Sequence, residues 1–228
     1  MVKNVLLDLD DTILDFHKAE HTALTRALTL FGIDPTEEVV STYSAINAEH
    51  WRRLERGEET RTEVRARRFD DLCATLALPL IPSDIQERYE TFLGEGHWFM
   101  PGAQELLSAL HGTYRLFLAS NGNSAIQAGR IRSAGIAPYF VKMYISEDVG
   151  YNKPDKRFFD AVFRDFPDLC REETVMVGDS LTSDILGGKN AGLRTLWYNG
   201  KHKVAPPELL PDAEFSDLWQ LPARLAAM

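Results

Sequence analysis

Cysteine is scarce in this chain. Only Cys73 and Cys170 occur among 228 residues, far apart and outside any C-x-x-C pair, which argues against a disulfide framework and a thiolate zinc site. Long apolar runs are missing too. The longest stretches, such as Leu76 to Pro82, fall far short of the roughly 20 residues of a membrane span, and the first residues lack the basic start and apolar run of an export signal. No membrane partner is expected, and a reducing cytoplasm is the expected location. Long basic runs are equally absent: 25 Lys and Arg stand against 34 Asp and Glu, a net charge of −9. Binding to a nucleic-acid polymer rests on neutralising many phosphates, so that partner is not expected either.

What the chain does have is apolar content, 44% by residue, enough for a soluble globular protein of one large domain or two smaller ones. Short apolar runs end in polar, turn-forming residues at regular intervals. Val5 to Asp8 leads into Asp10-Asp11-Thr12, Tyr114 to Ala119 into Ser120-Asn121-Gly122, Met143 to Ile145 into Ser146-Glu147-Asp148, Thr174 to Val177 into Gly178-Asp179, and Arg194 to Tyr198 into Asn199-Gly200. Helical patterns follow nearly all of them. That alternation predicts an α/β fold, a Rossmann-like, doubly wound parallel sheet with helices on both faces.

Between the first two runs lies a stretch, residues 16–96, with helical spacing and no convincing strand. Phe16, Ala23, Leu24, Ala27, Leu28 and Phe31 share a helical face that stops at Gly32, a residue suited to the position just past a helix end. Asp34-Pro35-Thr36-Glu37 reads as the next start with Asp34 as cap, and Thr60 with Glu63 and Ser83 with Gln86 have capping-box spacing, while Gly57 and Gly94 read as stops. The expected organisation is a core of residues 1–15 and 97–228 with an inserted all-helical cap of about four helices, residues 16–96.

Chemistry is concentrated at the predicted strand ends. Asp8-x-Asp10-x-Thr12 places two carboxylates where one can attack as a nucleophile while the other shuttles a proton to the leaving group. Ser120, with the turn N–H groups of Asn121 and Gly122, suits phosphate oxygens. Lys153, before Pro154 and a helix, can pair with a nucleophilic carboxylate and a transferring phosphoryl group. Gly178-Asp179 through Asp184 offers hard oxygen ligands of the kind Mg²⁺ takes.

In this order the four motifs resemble the signature of the haloacid dehalogenase-like hydrolase superfamily, and the helical insertion is similar to its first-subclass cap; the resemblance covers nearly the whole chain. It implies Asp8 as a nucleophile forming an aspartyl-phosphate and Asp10 as the acid that protonates the leaving alcohol and then the base that activates water. Ser120 and Lys153 would hold the phosphoryl oxygens, and Thr12 would brace the loop. Asp179 would bind Mg²⁺ together with the Asp8 carboxylate and the Asp10 backbone carbonyl, supported by Asp184. Asp10 also favours phosphatase over dehalogenase chemistry, because a halide leaves without a proton and an alkoxide does not.

Ile145 to Gly150, Lys153-Pro154 and Gly178 to Gly192 further resemble bacterial 5′-nucleotidases acting on pyrimidine and modified nucleoside monophosphates, as do Asn47 with Trp51 and Arg68-Phe69 in the insertion. The implied partner is a small phosphorylated metabolite, a nucleoside monophosphate; a sugar phosphate or phosphoglycolate is the alternative, as is a catalytically idle binding module. Phe16, Tyr43 and Trp51 are candidates for a base platform. Seven arginines between Arg52 and Arg68, interleaved with Glu55, Glu58, Glu59 and Glu63, read mainly as a solvated, ion-paired face. His17-x-x-Glu20-His21 fits a zinc pattern but brings no third ligand. Gly187, Gly188 and Gly192 miss dinucleotide-loop spacing and suit close helix packing.

Overall fold

The computed structural model describes residues 1–228. Strands β1 (Asn4–Leu7), β2 (Arg115–Ser120), β3 (Lys142–Ile145), β4 (Thr174–Gly178), β5 (Arg194–Tyr198) and β6 (Ala213–Phe215) form one sheet. Their order is β3-β2-β1-β4-β5-β6, and every neighbouring pair is parallel. This is the doubly wound α/β arrangement expected. The first five strands lie within a residue of their sequence limits. The sixth was not expected, because three residues carry too little alternation to be recognised.

Both faces of each central strand are apolar because both are covered. Val5 and Leu7 of β1, Leu116 and Leu118 of β2, and Val175 and Val177 of β4 share one buried cluster with Leu106, Leu107 and Leu110 of α5 (Ala103–Leu110). The intervening Leu6, Phe117 and Met176 pack on the other side against Phe158, Phe159 and Val162 of α8 (Lys156–Asp165). Each such side chain withdrawn from water contributes about 1.5–3 kcal/mol.

Four helices come between β1 and β2 ahead of α5: α1 (Phe16–Leu30), α2 (Glu37–Glu55), α3 (Arg61–Leu76) and α4 (Pro82–Glu95). They enclose their own core around Tyr43, Phe69 and Tyr89, whose rings lie 4.8, 5.3 and 5.5 Å apart by centroid. Thr60 and Glu63 make the expected capping box. Three other expected ends fall elsewhere. Thr36, not Asp34, caps α2 by accepting the Val39 N–H. Pro82 opens α4 directly, and the Ser83 hydroxyl turns to the neighbouring Asp84 carboxylate. Gly94 lies inside α4, not past its end. A methyl group built on Gly129 of α6 (Ser124–Ala134) would stand 2.5 Å from the Gly94 carbonyl oxygen, so its missing side chain serves backbone-to-backbone packing of α4 on α6. No helix is long and apolar enough to cross a membrane.

Candidate active site

In this strand order the chain winds to opposite sides of the sheet from β1 and from β4, and connections that diverge there open a crevice beyond the strands' C-terminal ends. Asp8 follows β1 and Asp179 follows β4, so both face this crevice. The helices α1–α4 cover it, and a cavity of about 360 Å³ remains between.

The floor is charged. Asp8 is tied to the sheet through its N–H to the Val177 carbonyl (2.9 Å). Lys153 is almost fully buried, and its Nζ donates to Asp8 Oδ1 (2.8 Å), Asp184 Oδ1 (2.5 Å) and the Ala119 carbonyl (2.6 Å). Three acceptors use all three ammonium protons. Burial alone would depress the ammonium, but the flanking Asp184 and Asp8 carboxylates more than offset it and hold the pKa above its ordinary value. One lysine does not balance the site. An oxygen from each of Asp8, Asp179 and Asp184 lies within 4.8 Å of the others. Burial, and then the charge of Asp184 and Asp11, pushes Asp179 up to about 7. Asp8 is likewise raised, by burial first and by Asp184, Asp10 and Asp179 as like charges, against the pull of Lys153. Crowded, hard oxygen donors of this kind fit a small divalent cation such as Mg²⁺.

Local backbone makes this crowding possible. A Cβ on Gly178 would stand 2.1 Å from Asp184 Oδ2, so the glycine before Asp179 is needed for Asp184 to fold back beneath the strand end. Its Oδ2 then accepts the Ser180 N–H (3.1 Å). Asp184 sits in a π-helical turn, Leu181–Ile185, which Ser180 caps by accepting the Ser183 N–H (3.1 Å).

The motif after β2 is organised differently from the sequence expectation. Ser120 is fully buried and does not line the cavity; its Oγ accepts from Gln127 Nε2 (2.9 Å). Asn121 clasps the lysine loop: its Oδ1 accepts the Lys153 N–H (2.9 Å), and its Nδ2 donates to the Lys153 carbonyl (2.8 Å) and Ser183 Oγ (3.2 Å). The Gly122 N–H is directed to Ser146 Oγ (3.1 Å). Asn121 and Gly122 do line the cavity, but the Asn121 side chain and the Gly122 N–H are engaged within the protein. Thr12 is buried, and its hydroxyl has no hydrogen-bond partner.

Asp10 is bonded to α6 and not to this loop. Gln127 Nε2 donates to its Oδ2 (2.7 Å) and Arg130 Nη1 to its Oδ1. Gln127 and Arg130 were not among the residues expected from sequence; they stand three apart on α6, more than a hundred residues from Asp10, and no local motif links them.

The wall above comes from α1–α4. Phe16 and Trp51 line the cavity, whereas Tyr43 does not and belongs to the interior of the helical insert. Among the arginines, Arg61, Arg65 and Arg68 face the cavity. Arg61 reaches the sheet edge, donating to the Gly122 carbonyl (3.1 Å), Ser146 Oγ (2.5 Å) and Asn152 Oδ1. Arg52, Arg53 and Arg56 pair with Glu49 on the expected solvated face. Glu20, from the histidine-containing pattern, accepts from Ser44 Oγ and Asn47 Nδ2 (both 2.6 Å), and Asn47 Oδ1 accepts from Arg68 Nη1 (3.2 Å). His17 pairs instead with Asp11 (2.9 Å). Glu55, at the end of α2, accepts from Thr182 Oγ1 (3.0 Å), and burial pushes its carboxyl up to about 7.

A doubly wound sheet with carboxylates and a buried lysine at its strand ends, covered by four helices, defines a hydrolase of one family. A profile of the haloacid dehalogenase-like hydrolases matches residues 2–192, and the chain belongs to that family. It is 39% identical to the HAD-hydrolase YfnB of Bacillus subtilis over 96% of this chain and 93% of that protein. The crystal structure of YfnB bound to magnesium superposes with a TM-score of 0.93 over 98% of both chains. The pyrimidine 5′-nucleotidase PynA of Streptococcus pneumoniae is 37% identical over 88% of this chain and 85% of its own. The pyrimidine 5′-nucleotidase YjjG of Escherichia coli is 33% identical over 95% of each.

Proposed function

We propose that the protein is a phosphomonoesterase that uses Mg²⁺ and an aspartyl-phosphate intermediate, and that its substrate is a pyrimidine or modified nucleoside 5′-monophosphate. The observation that carries this reading is the bonding of Lys153 to both Asp8 and Asp184 at the floor of a cavity whose upper wall carries Trp51 and Phe16. Asp8 attacks phosphorus, the P–O bond to the leaving 5′-oxygen breaks, and Asp10 supplies the proton that oxygen needs. Asp10 then takes a proton from the water that attacks the aspartyl-phosphate, and inorganic phosphate is released. Lys153 holds Asp8 in place and offsets charge as the phosphoryl group transfers. Asp8, Asp179, Asp184 and the Asp10 carbonyl would hold the cation, which would supply positive charge to offset that of the transferring phosphoryl group. Ser120, Asn121 and Gly122 shape the phosphoryl end by fixing the lysine loop and α6, and Trp51 offers a face for the base. The core is residues 1–15 and 97–228, with residues 16–96 as its cap. The likeness to PynA and YjjG supports the nucleotide class.

A phosphate-release screen with Mg²⁺ over nucleoside monophosphates, hexose phosphates and phosphoglycolate tests the substrate. Preference for UMP, dUMP or dTMP is expected, and preference for a hexose phosphate overturns the nucleotidase reading. Asp8→Asn should lower turnover of every accepted substrate by at least ~10⁴-fold with the fold intact by circular dichroism. Retained turnover removes Asp8 as nucleophile.

A further inference from the structure

Helix α6 turns polar residues inward. Its buried positions are Gln127, Arg130 and Ile131, whereas a helix packed only for stability presents an aliphatic stripe. Arg130 has a side chain 1% exposed and pairs with Asp10. Its Nη1 also donates to Gln127 Oε1 (3.0 Å), so the two side chains brace each other one helical turn apart. Gln127 in turn bridges Asp10 Oδ2 and Ser120 Oγ. Both oxygens of Asp10 are thereby held, each by a different donor, and the donors are themselves locked together.

The arrangement is costly as mere scaffolding. Arg130 Nε and Nη2 are buried without a hydrogen-bond partner, and a buried unpaired donor costs about 1–3 kcal/mol, more when charged. A guanidinium placed only for stability would have these groups satisfied. The ring of Phe16, 5.7 Å from the guanidinium carbon, offsets part of the charge. What Arg130 does achieve is to fix one carboxylate at the cavity.

We propose that Gln127 and Arg130 are positioning residues for the proton-transferring carboxylate of Asp10, holding its plane and position from α6; this rests on the reading of Asp10 as the general acid. Both residues line the cavity, but in this role they act through Asp10 and not on the phosphorus. Their effect therefore scales with how much the leaving oxygen needs a proton.

The test compares p-nitrophenyl phosphate, whose phenolate leaves unprotonated, with benzyl phosphate, whose alkoxide must be protonated. Neither probe depends on recognition of a nucleobase. The burst of released alcohol in a single turnover reports phosphoenzyme formation. Arg130→Met and Gln127→Met should slow the benzyl burst by about 10–100-fold while changing the p-nitrophenyl burst and both half-saturation concentrations by less than about 3-fold. Arg130→Lys should recover part of the benzyl rate. Asp10→Asn serves as the reference and should show the same leaving-group dependence, larger in size. Equal losses on both esters in the Arg130 and Gln127 variants, with Asp10→Asn still leaving-group dependent, overturn the proposal and leave the role of Asp10 standing. Loss of folding in all three variants also overturns it, since that is a structural role. If Asp10→Asn itself treats the two esters alike, the general-acid reading fails and the proposal falls with it.

Discussion

The floor and the wall of the cavity are built on opposite plans. At the floor, charge is compact: one lysine serves two carboxylates and a carbonyl, with Asp8 directly after β1 and Lys153 and Asp184 in the segments that follow β3 and β4 at the same edge of the sheet. In the wall, polar groups are dispersed over α1, α2, α3 and α4 and reach one another through relays such as Glu20 to Asn47 to Arg68 to Glu90. A sheet edge delivers side chains to one place by topology alone, so its residues can act together on a single phosphorus atom. A helical bundle delivers a surface, whose residues can share the recognition of a larger group. The difference suggests where damage is catastrophic and where it is graded.

The largest effect expected is at the floor. Lys153→Met leaves the Asp8 and Asp184 carboxylates facing each other in a buried site. Breaking one partner of a buried pair costs about 3–5 kcal/mol, so the urea midpoint in chelator should fall accordingly and turnover should be lost. A midpoint unchanged within error would mean that the floor is not held by this ammonium. In the wall, Trp51→Ala should raise KM for an accepted nucleoside monophosphate by about 10-fold and leave turnover of p-nitrophenyl phosphate within about 3-fold, consistent with one aromatic contact of ~1.5 kcal/mol. Equal losses on both substrates would erase the distinction between floor and wall.

The smallest effect lies where the two meet. Glu55 of α2 faces Thr182 with its carboxyl at about 7, against an ordinary 4.5. Between those values the folded chain binds more protons at this site than the unfolded chain, so stability contributed here is present below the lower value and lost as pH rises through the upper one. Glu55→Gln should therefore flatten the decline in unfolding free energy between about pH 4.5 and about pH 7 by on the order of 1 kcal/mol, allowing for solvent screening. An unchanged slope in urea titrations with chelator would remove Glu55 as the source.

The same contrast decides what could be read before the fold was known. Asp8 and Asp179 directly follow apolar runs, and Lys153 and Asp184 lie in the segments after β3 and β4; in a parallel sheet every run ends at the same edge, so sequence order translates into proximity. Ser120 and Asn121 sit at such an end too, yet their side chains turn to Gln127 and Lys153; the strand end dictates location but not bonding. Gln127 and Arg130 were invisible for a related reason. Their partner Asp10 is 117 and 120 positions away, and a Gln and an Arg three apart on a helix look like ordinary surface residues. In the insert, Tyr43 and Trp51 share one helix, and only the position of the neighbouring helices sends the first into the interior and the second to the cavity.

The contact between Gly94 and Gly129 bears on the engineering of this protein. Helix α4 closes the insert and α6 carries the groups that hold Asp10, and where they touch there is backbone on both sides. A chimera that receives another helical insert inherits this seam as its graft junction. The steric demand falls on Gly129 of the recipient, where a methyl group would stand 2.5 Å from the carbonyl oxygen of residue 94, whereas a methyl group at position 94 would meet nothing nearer than 3.7 Å. The donor has to match the path of the backbone there, whatever specificity its side chains bring, or it will push α6 away from Asp10.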